Sequence, residues 1–256
     1  MRIATHILAA ASIAALTLSA GAVSAQEKIV IATEGAYPPF NSLEADGTLT
    51  GFDVDIARAL CEQMKAECEI VTNDWDGMIP ALQAKKFDAI IASMSITPER
   101  LEQVDFSKKY YNTGPAIAVP KDTDITDVEG LAGKTLGAQS STTHANYAEK
   151  HMPQSELKLY PTADEYKLDI QNGRTDAVID DVVVLSEWVK SEDGACCKIL
   201  TPLPVDVEIN GEGAGIAVRK GDPLADKFTT AIAEIRANGK YKEINDKYFD
   251  FDAYGD

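Results

Sequence analysis

Three short stretches of this chain collect the residue types that grip a small charged molecule. In Asp88-Ala-Ile-Ile-Ala-Ser-Met-Ser-Ile-Thr-Pro-Glu-Arg100 an apolar strand runs into a helix start, with Thr97 as cap and Pro98 at the first helical position. Ser93, Ser95 and Arg100 surround that start, and hydroxyls, backbone N–H groups and a guanidinium together suit a carboxylate, naturally an α-carboxylate. Taken alone, an arginine is more often a surface ion pair. In the turn after the β-rich run to Thr33, Glu34 and Tyr37 can project from a strand end, where open α/β sheets place ligands. Trp75, in Asn73-Asp-Trp-Asp-Gly-Met-Ile-Pro80, pairs with Tyr37 as two aromatic walls of a slot. A guanidinium or a lysine stem between such faces gains roughly 0.5 to 2 kcal/mol per good contact, and Glu34 is placed to receive the distal cation. In Gln139-Ser-Ser-Thr-Thr-His144, Thr142 and Thr143 can cap a helix and offer donors to the same carboxylate, although hydroxyl caps are also common without a ligand. Asp180-Asp181 closes a strand, with Asp181 readable as a plain helix N-cap and Asp180 as a second charge beside it.

The elements that must position these groups alternate. Strands at Ile29–Thr33, Glu69–Thr72 and Asp88–Ser93 are separated by helices at 53–64 and near 77–85, the first with Asp53 as its acidic N-cap and Asp46-Gly47 marking a hairpin or tight loop before it. A second series repeats the pattern: strands Thr135–Ala138, Lys158–Tyr160 and Asp176–Ile179, with helices from about Thr143, near 163–172 and from Val182. A strand Gly215–Val218 and helices around Pro223–Asn238 and Lys240–Tyr248 end the chain. This alternation predicts α/β architecture with two similar halves, each a mostly parallel sheet covered by helices. Asn112-Thr-Gly-Pro115 and the segment from Thr201-Pro-Leu-Pro204 to Gly211-Glu-Gly213 join the halves, as a hinge or as ordinary loops.

Arg2, the apolar run Ile7 to Leu18 and Val23-Ser24-Ala25 read as a secretory signal over residues 1–25, so the mature chain is expected to begin at Gln26 and to be exported. The net charge of −17 disfavours nucleic acid and anionic lipid as partners; it is compatible with a cationic ligand, although a well-solvated acidic surface explains most of it. Four cysteines in an exported chain suggest disulfides. Cys196-Cys197 is open between a vicinal disulfide, free thiols and metal ligation. Neither His144 nor His151 stands at ligand spacing from a cysteine, so no metal is expected, and no cofactor.

The runs Ile31-Ala-Thr-Glu-Gly-Ala-Tyr-Pro-Pro-Phe40, Gly51-Phe-Asp-Val-Asp-Ile-Ala-Arg-Ala-Leu-Cys61 and Asp88 to Arg100, with the tail Lys247-Tyr-Phe-Asp-Phe-Asp-Ala-Tyr-Gly-Asp256, resemble the periplasmic polar amino-acid binding proteins of ATP-binding-cassette (ABC) transporters, solute-binding protein family 3. The likeness is greatest to the lysine/arginine/ornithine and histidine binding group. It implies a two-lobed type II fold, with lobe one at 26–112 and 210–256, lobe two at 115–205, and a two-segment hinge near 112–115 and 205–211. It implies a Cys61–Cys68 disulfide stapling helix to strand, Arg100 as carboxylate binder, a Thr142-Thr143 bridge across the cleft, and Asp181 as acceptor of the α-amino group. Glu34, Tyr37, Trp75, Ala92, Ser93, Ser95, Gln139 and His144 complete the expected ligand set. Glu34 and Asp181 would then meet two cations on a basic amino acid, and Arg100 its anion.

The chain departs from that group at Glu34 (an aspartate there), Trp75 (phenylalanine), Ala92 (a serine) and His144 (glutamine), and glutamate, tryptophan and histidine here also resemble binders of opines such as octopine and nopaline. The implied function is capture of arginine, lysine, ornithine or histidine, with an opine second, by a monomer that closes and delivers its load to a permease in the inner membrane. The chain carries no phosphate loop, so ATP hydrolysis would belong to a partner. A dehydratase-like enzyme on the same fold is the rival class, but Ser140, Ser141 and His144 come without a nucleophile elbow or acid–base pair, and no catalytic residue is assigned.

Overall fold

Strand Lys28–Thr33 is buried along most of its length, which requires partners on both edges and cover on both faces. It pairs in parallel with Glu67–Thr72 on one side and Ala89–Ile90 on the other. The computed structural model describes residues 27–255; the expected leader and the start at Gln26 lie outside the described residues. Strand Ala217–Arg219 runs antiparallel between Ala89–Ile90 and Val104–Phe106, completing a five-stranded sheet. A second sheet repeats the plan: Glu156–Tyr160, Thr135–Gln139 and Ala177–Asp181 lie parallel, Pro115–Pro120 runs counter to them, and Cys197–Pro202 flanks it. In each sheet a single strand opposes the others, so both are mostly parallel. The chain is a two-lobed α/β protein.

Helix Phe52–Met64 covers the first sheet with Ile56, Ala57 and Leu60 turned inward. It packs beside Leu224–Ala237 and Lys240–Tyr248. An aromatic cluster fills this lobe: Phe40 stacks on Tyr111 at 4.6 Å and Phe52 meets Phe249 at 5.0 Å, so the tail of the chain is built into its core. Cys61 and Cys68 are bonded, with Cα atoms 6.1 Å apart, tying the end of this helix to the edge strand. Cys196 and Cys197 are also joined.

Several sequence expectations shift. Asp53 does not cap its helix; Gly51 holds that position at φ 116°, and Asp53 in the first turn is fully buried. The helix expected near 77–85 begins as a 3-10 turn, Trp75–Gly77, and continues as Met78–Gln83. The strand expected at Asp88–Ser93 is only Ala89–Ile90, because Ser93 turns to φ 57° and leaves the sheet. Six strands went unread: Val104–Phe106, Pro115–Pro120 and Cys197–Pro202 in the two large sheets, and Ala36–Tyr37, Asn41–Leu43 and Leu49–Thr50, which form a small antiparallel sheet of their own.

Candidate functional site

The short strand Ala89–Ile90 delivers Ala92, Ser93 and Ser95 to the end of the first sheet, and Thr97 caps the following helix by accepting from the Arg100 N–H at 3.2 Å. That cap fixes the first turn and with it the origin of the Arg100 side chain. The guanidinium is buried and donates to the backbone carbonyls of Ser95 (3.0 Å) and Ser141 (3.2 Å). Burial draws its pKa down to about 10. Among the described residues it has no carboxylate partner within ion-pair distance.

From the opposite sheet, strand Thr135–Gln139 ends in the turn that starts helix Thr143–His151. Thr142 caps this helix, accepting from Ala145 N–H at 3.1 Å and donating to Gln139 O at 2.7 Å. Its hydroxyl is thereby committed to the turn, whereas Thr143 stands at the first helical position facing the cleft. Gln139 donates across the cleft to Glu34 at 2.6 Å and, within its own lobe, to Pro161 O at 3.0 Å. Burial nevertheless pushes Glu34 up to about 7, with Asp180, Asp164 and Asp74 adding repulsion.

Eleven of the twelve residues expected from sequence line one narrow cleft. Glu34, Tyr37, Trp75, Ala92, Ser93, Ser95 and Arg100 come from the first lobe, and Gln139, Thr142, Thr143 and His144 from the second. The twelfth, Asp181, lies in an adjoining space that shares Tyr37, Ser93, Ser95, Thr143 and His144 with the first. Asp181 caps helix Val182–Lys190 through Val183 N–H at 2.7 Å, and Thr113 donates to its other oxygen. Burial raises its pKa to about 7 against those hydrogen bonds.

The family model of bacterial extracellular solute-binding proteins, family 3, matches residues 29–251. The chain belongs to that family. It is 44% identical to an L-arginine-binding protein of Pseudomonas aeruginosa over 249 residues, covering 95% of this chain and 96% of that one. It is 38% identical to the ABC transporter arginine-binding protein 1 of Escherichia coli, over 95% of this chain and 98% of that one. Among solved structures, an ancestral arginine-binding protein bound to arginine superposes with a TM-score of 0.81 at 37% identity, covering 88% of this chain and 99% of that one.

In this solute-binding protein two buried acids do work that the sequence did not announce. Asp53 accepts from Asn41 (2.8 Å), Ser93 Oγ (2.9 Å) and Tyr110 (2.7 Å), so the Ser93 hydroxyl is turned toward the lobe interior. Burial raises Asp53 to about 6 despite these donors. Asp180 receives hydroxyls from Tyr37 of the first lobe and Tyr166 of the second, with His144 Nδ1 at 3.1 Å. Burial lowers the His144 pKa, Asp180 opposes that, and Arg100 reinforces it. Ser141 was also missed: its φ of 56° is a backbone property that its hydroxyl does not advertise.

Proposed function

We propose that this solute-binding protein captures a basic L-amino acid between its lobes and presents the loaded, closed form to the permease of an ABC importer. The observation that carries the reading is charge balance. Arg100 is a buried cation without a carboxylate, Asp181 is a buried carboxylate and Glu34 a partly buried one, and neither acid has a cation in ion-pair contact among the described residues. An uncompensated buried charge costs several kcal/mol, and a basic amino acid brings one anion and two cations to answer all three. In this arrangement Arg100 and the helix start at Thr143 hold the α-carboxylate. Asp181 takes the α-ammonium, and the side chain passes between Tyr37 and Trp75 toward Glu34.

Lobe one comprises 26–112 and 210–256, lobe two 115–205, and the crossings near 112–115 and 205–211 act as the hinge of a monomer. Residues 1–25 direct export and are removed, so the mature protein works in the periplasm. L-Arginine is the preferred ligand, in keeping with the arginine-binding relatives. An arginine-derived opine is the second reading, favoured by Glu34, Trp75 and His144 together. It brings a further carboxylate, and the cation on offer, His144, is drawn toward its neutral form by burial.

Titration calorimetry on protein unfolded and refolded free of ligand tests this. L-Citrulline keeps the shape of arginine but has no distal charge. Arginine is expected to bind at least about 100-fold tighter, the scale of one desolvated charge pair; equal affinities would overturn the role given to Glu34.

A further inference from the structure

The 3-10 turn Trp75–Gly77 of the first lobe reaches across the cleft mouth to the Ser140–Ser141 turn of the second. The Trp75 indole N–H donates to Ser141 O at 3.2 Å, and Arg100 Nη2 donates to the same oxygen at 3.2 Å. The guanidinium also lies over the indole, 5.3 Å from the ring centroid. Beside them, Ser140 Oγ meets the Asp76 carboxylate at 3.0 and 3.1 Å. Ser141 presents its carbonyl because its backbone sits at φ 56°, a left-handed conformation that a serine adopts at a cost and keeps only when its surroundings demand it. A carbonyl has two lone pairs, and here both donors belong to the opposite lobe.

We propose that Trp75 is a clasp as well as a wall: its N–H, seconded by Arg100, fastens the first lobe to the Ser141 carbonyl and sets how long a bound amino acid stays. The inference rests on the proposed binding of a basic amino acid for its kinetic readout. The chemistry separates the two duties of the side chain. The aromatic face needs only a flat ring, whereas the clasp needs the N–H. These bonds join residues of different lobes, so they exist only when the lobes are together and bias the population toward the closed form. Opening must break them before the ligand leaves, so their loss falls on dissociation.

Trp75→Phe keeps the face and removes the donor. In stopped-flow dissociation with L-arginine as the probe, the variant is expected to release ligand about five- to tenfold faster, as for one lost hydrogen bond, while association changes by less than about twofold. Unchanged dissociation, or a loss confined to association, would overturn the clasp. Small-angle scattering on ligand-free wild type and Trp75→Phe gives a readout independent of ligand identity, with a larger radius of gyration expected for the variant. If no amino acid binds the wild type, the functional reading fails and scattering alone decides the clasp: identical profiles reject it.

Discussion

In the proposed binding scheme Arg100 concentrates the chemistry at one side chain. It is held by carbonyls, which orient a guanidinium without neutralising it. Arg100→Met should therefore raise the dissociation constant for L-arginine by about 100-fold or more in calorimetry, since a desolvated charge pair is worth 2–5 kcal/mol. The thermal midpoint of the same variant without ligand should hold or rise, because a buried charge has been removed. In the same scheme Glu34 carries the pH dependence. Its folded pKa of about 7 lies above the ordinary 4.5, so its contribution to stability is complete below about 4.5 and is lost as pH rises through 7. Asp181 acts in the same direction over a similar range, and His144 turns neutral as pH rises. A cationic ligand favours the ionised carboxylates, so arginine affinity should climb by about tenfold or more between pH 5.5 and 8. Glu34→Gln should flatten much of that rise, as read from dissociation constants across pH; a wild-type slope in the variant would remove Glu34 from the scheme. The side chains that line the cleft were legible as types at strand and helix ends. Their commitments were not: Ser93 serves Asp53, Thr142 serves its own turn, and Asp180 gathers two tyrosines that lie far apart in sequence.

At the scale of elements, caps were easier to read than strands. Thr97 with Pro98, and Thr142 before Thr143, announce helix starts through local chemistry, and both cap as expected. Thr142→Ala should cost about 1 kcal/mol of unfolding free energy, measurable in denaturant. Asp53 misled because an acid ahead of an apolar helical face has the pattern of a cap, and only the close approach of Phe40 to Gly51 excludes it. A Cβ on Gly51 would lie 2.3 Å from the Phe40 carbonyl oxygen, and φ 116° is itself hostile to a side chain. Gly51→Ala should lower stability by more than about 2 kcal/mol, with a matching fall in the thermal midpoint; a neutral result would mean the loop can yield. Strands Pro115–Pro120 and Cys197–Pro202 escaped notice because proline at their ends reads as loop or hinge. All three prolines, Pro115, Pro120 and Pro202, stand at strand termini, where a missing N–H is tolerated. Their pairing, moreover, is between segments distant in the chain.

At the scale of the molecule, the alternation of strands and helices disclosed two similar halves, but not that each sheet admits one counter-running strand. Ala217–Arg219 inserts into the first sheet after the chain has completed the second. The chain thus passes between the lobes twice, and two crossings restrict relative motion more than one would. The lobes meet through Glu34–Gln139, Tyr37–Asp180 and Trp75–Ser141, none of which is local in sequence. In the proposed mechanism, ligand contacts drawn from both lobes would shift the population toward the closed form, because they would be complete only there. The most direct test of this account is thermal unfolding of refolded, ligand-free protein against basic, neutral and acidic L-amino acids with octopine and nopaline. A ligand at a thousandfold over its dissociation constant stabilises the folded state by about 4 kcal/mol. The account predicts a raised midpoint with arginine and other basic amino acids and none with acidic ones. Silence across the panel, or a response to opines alone, would contradict it.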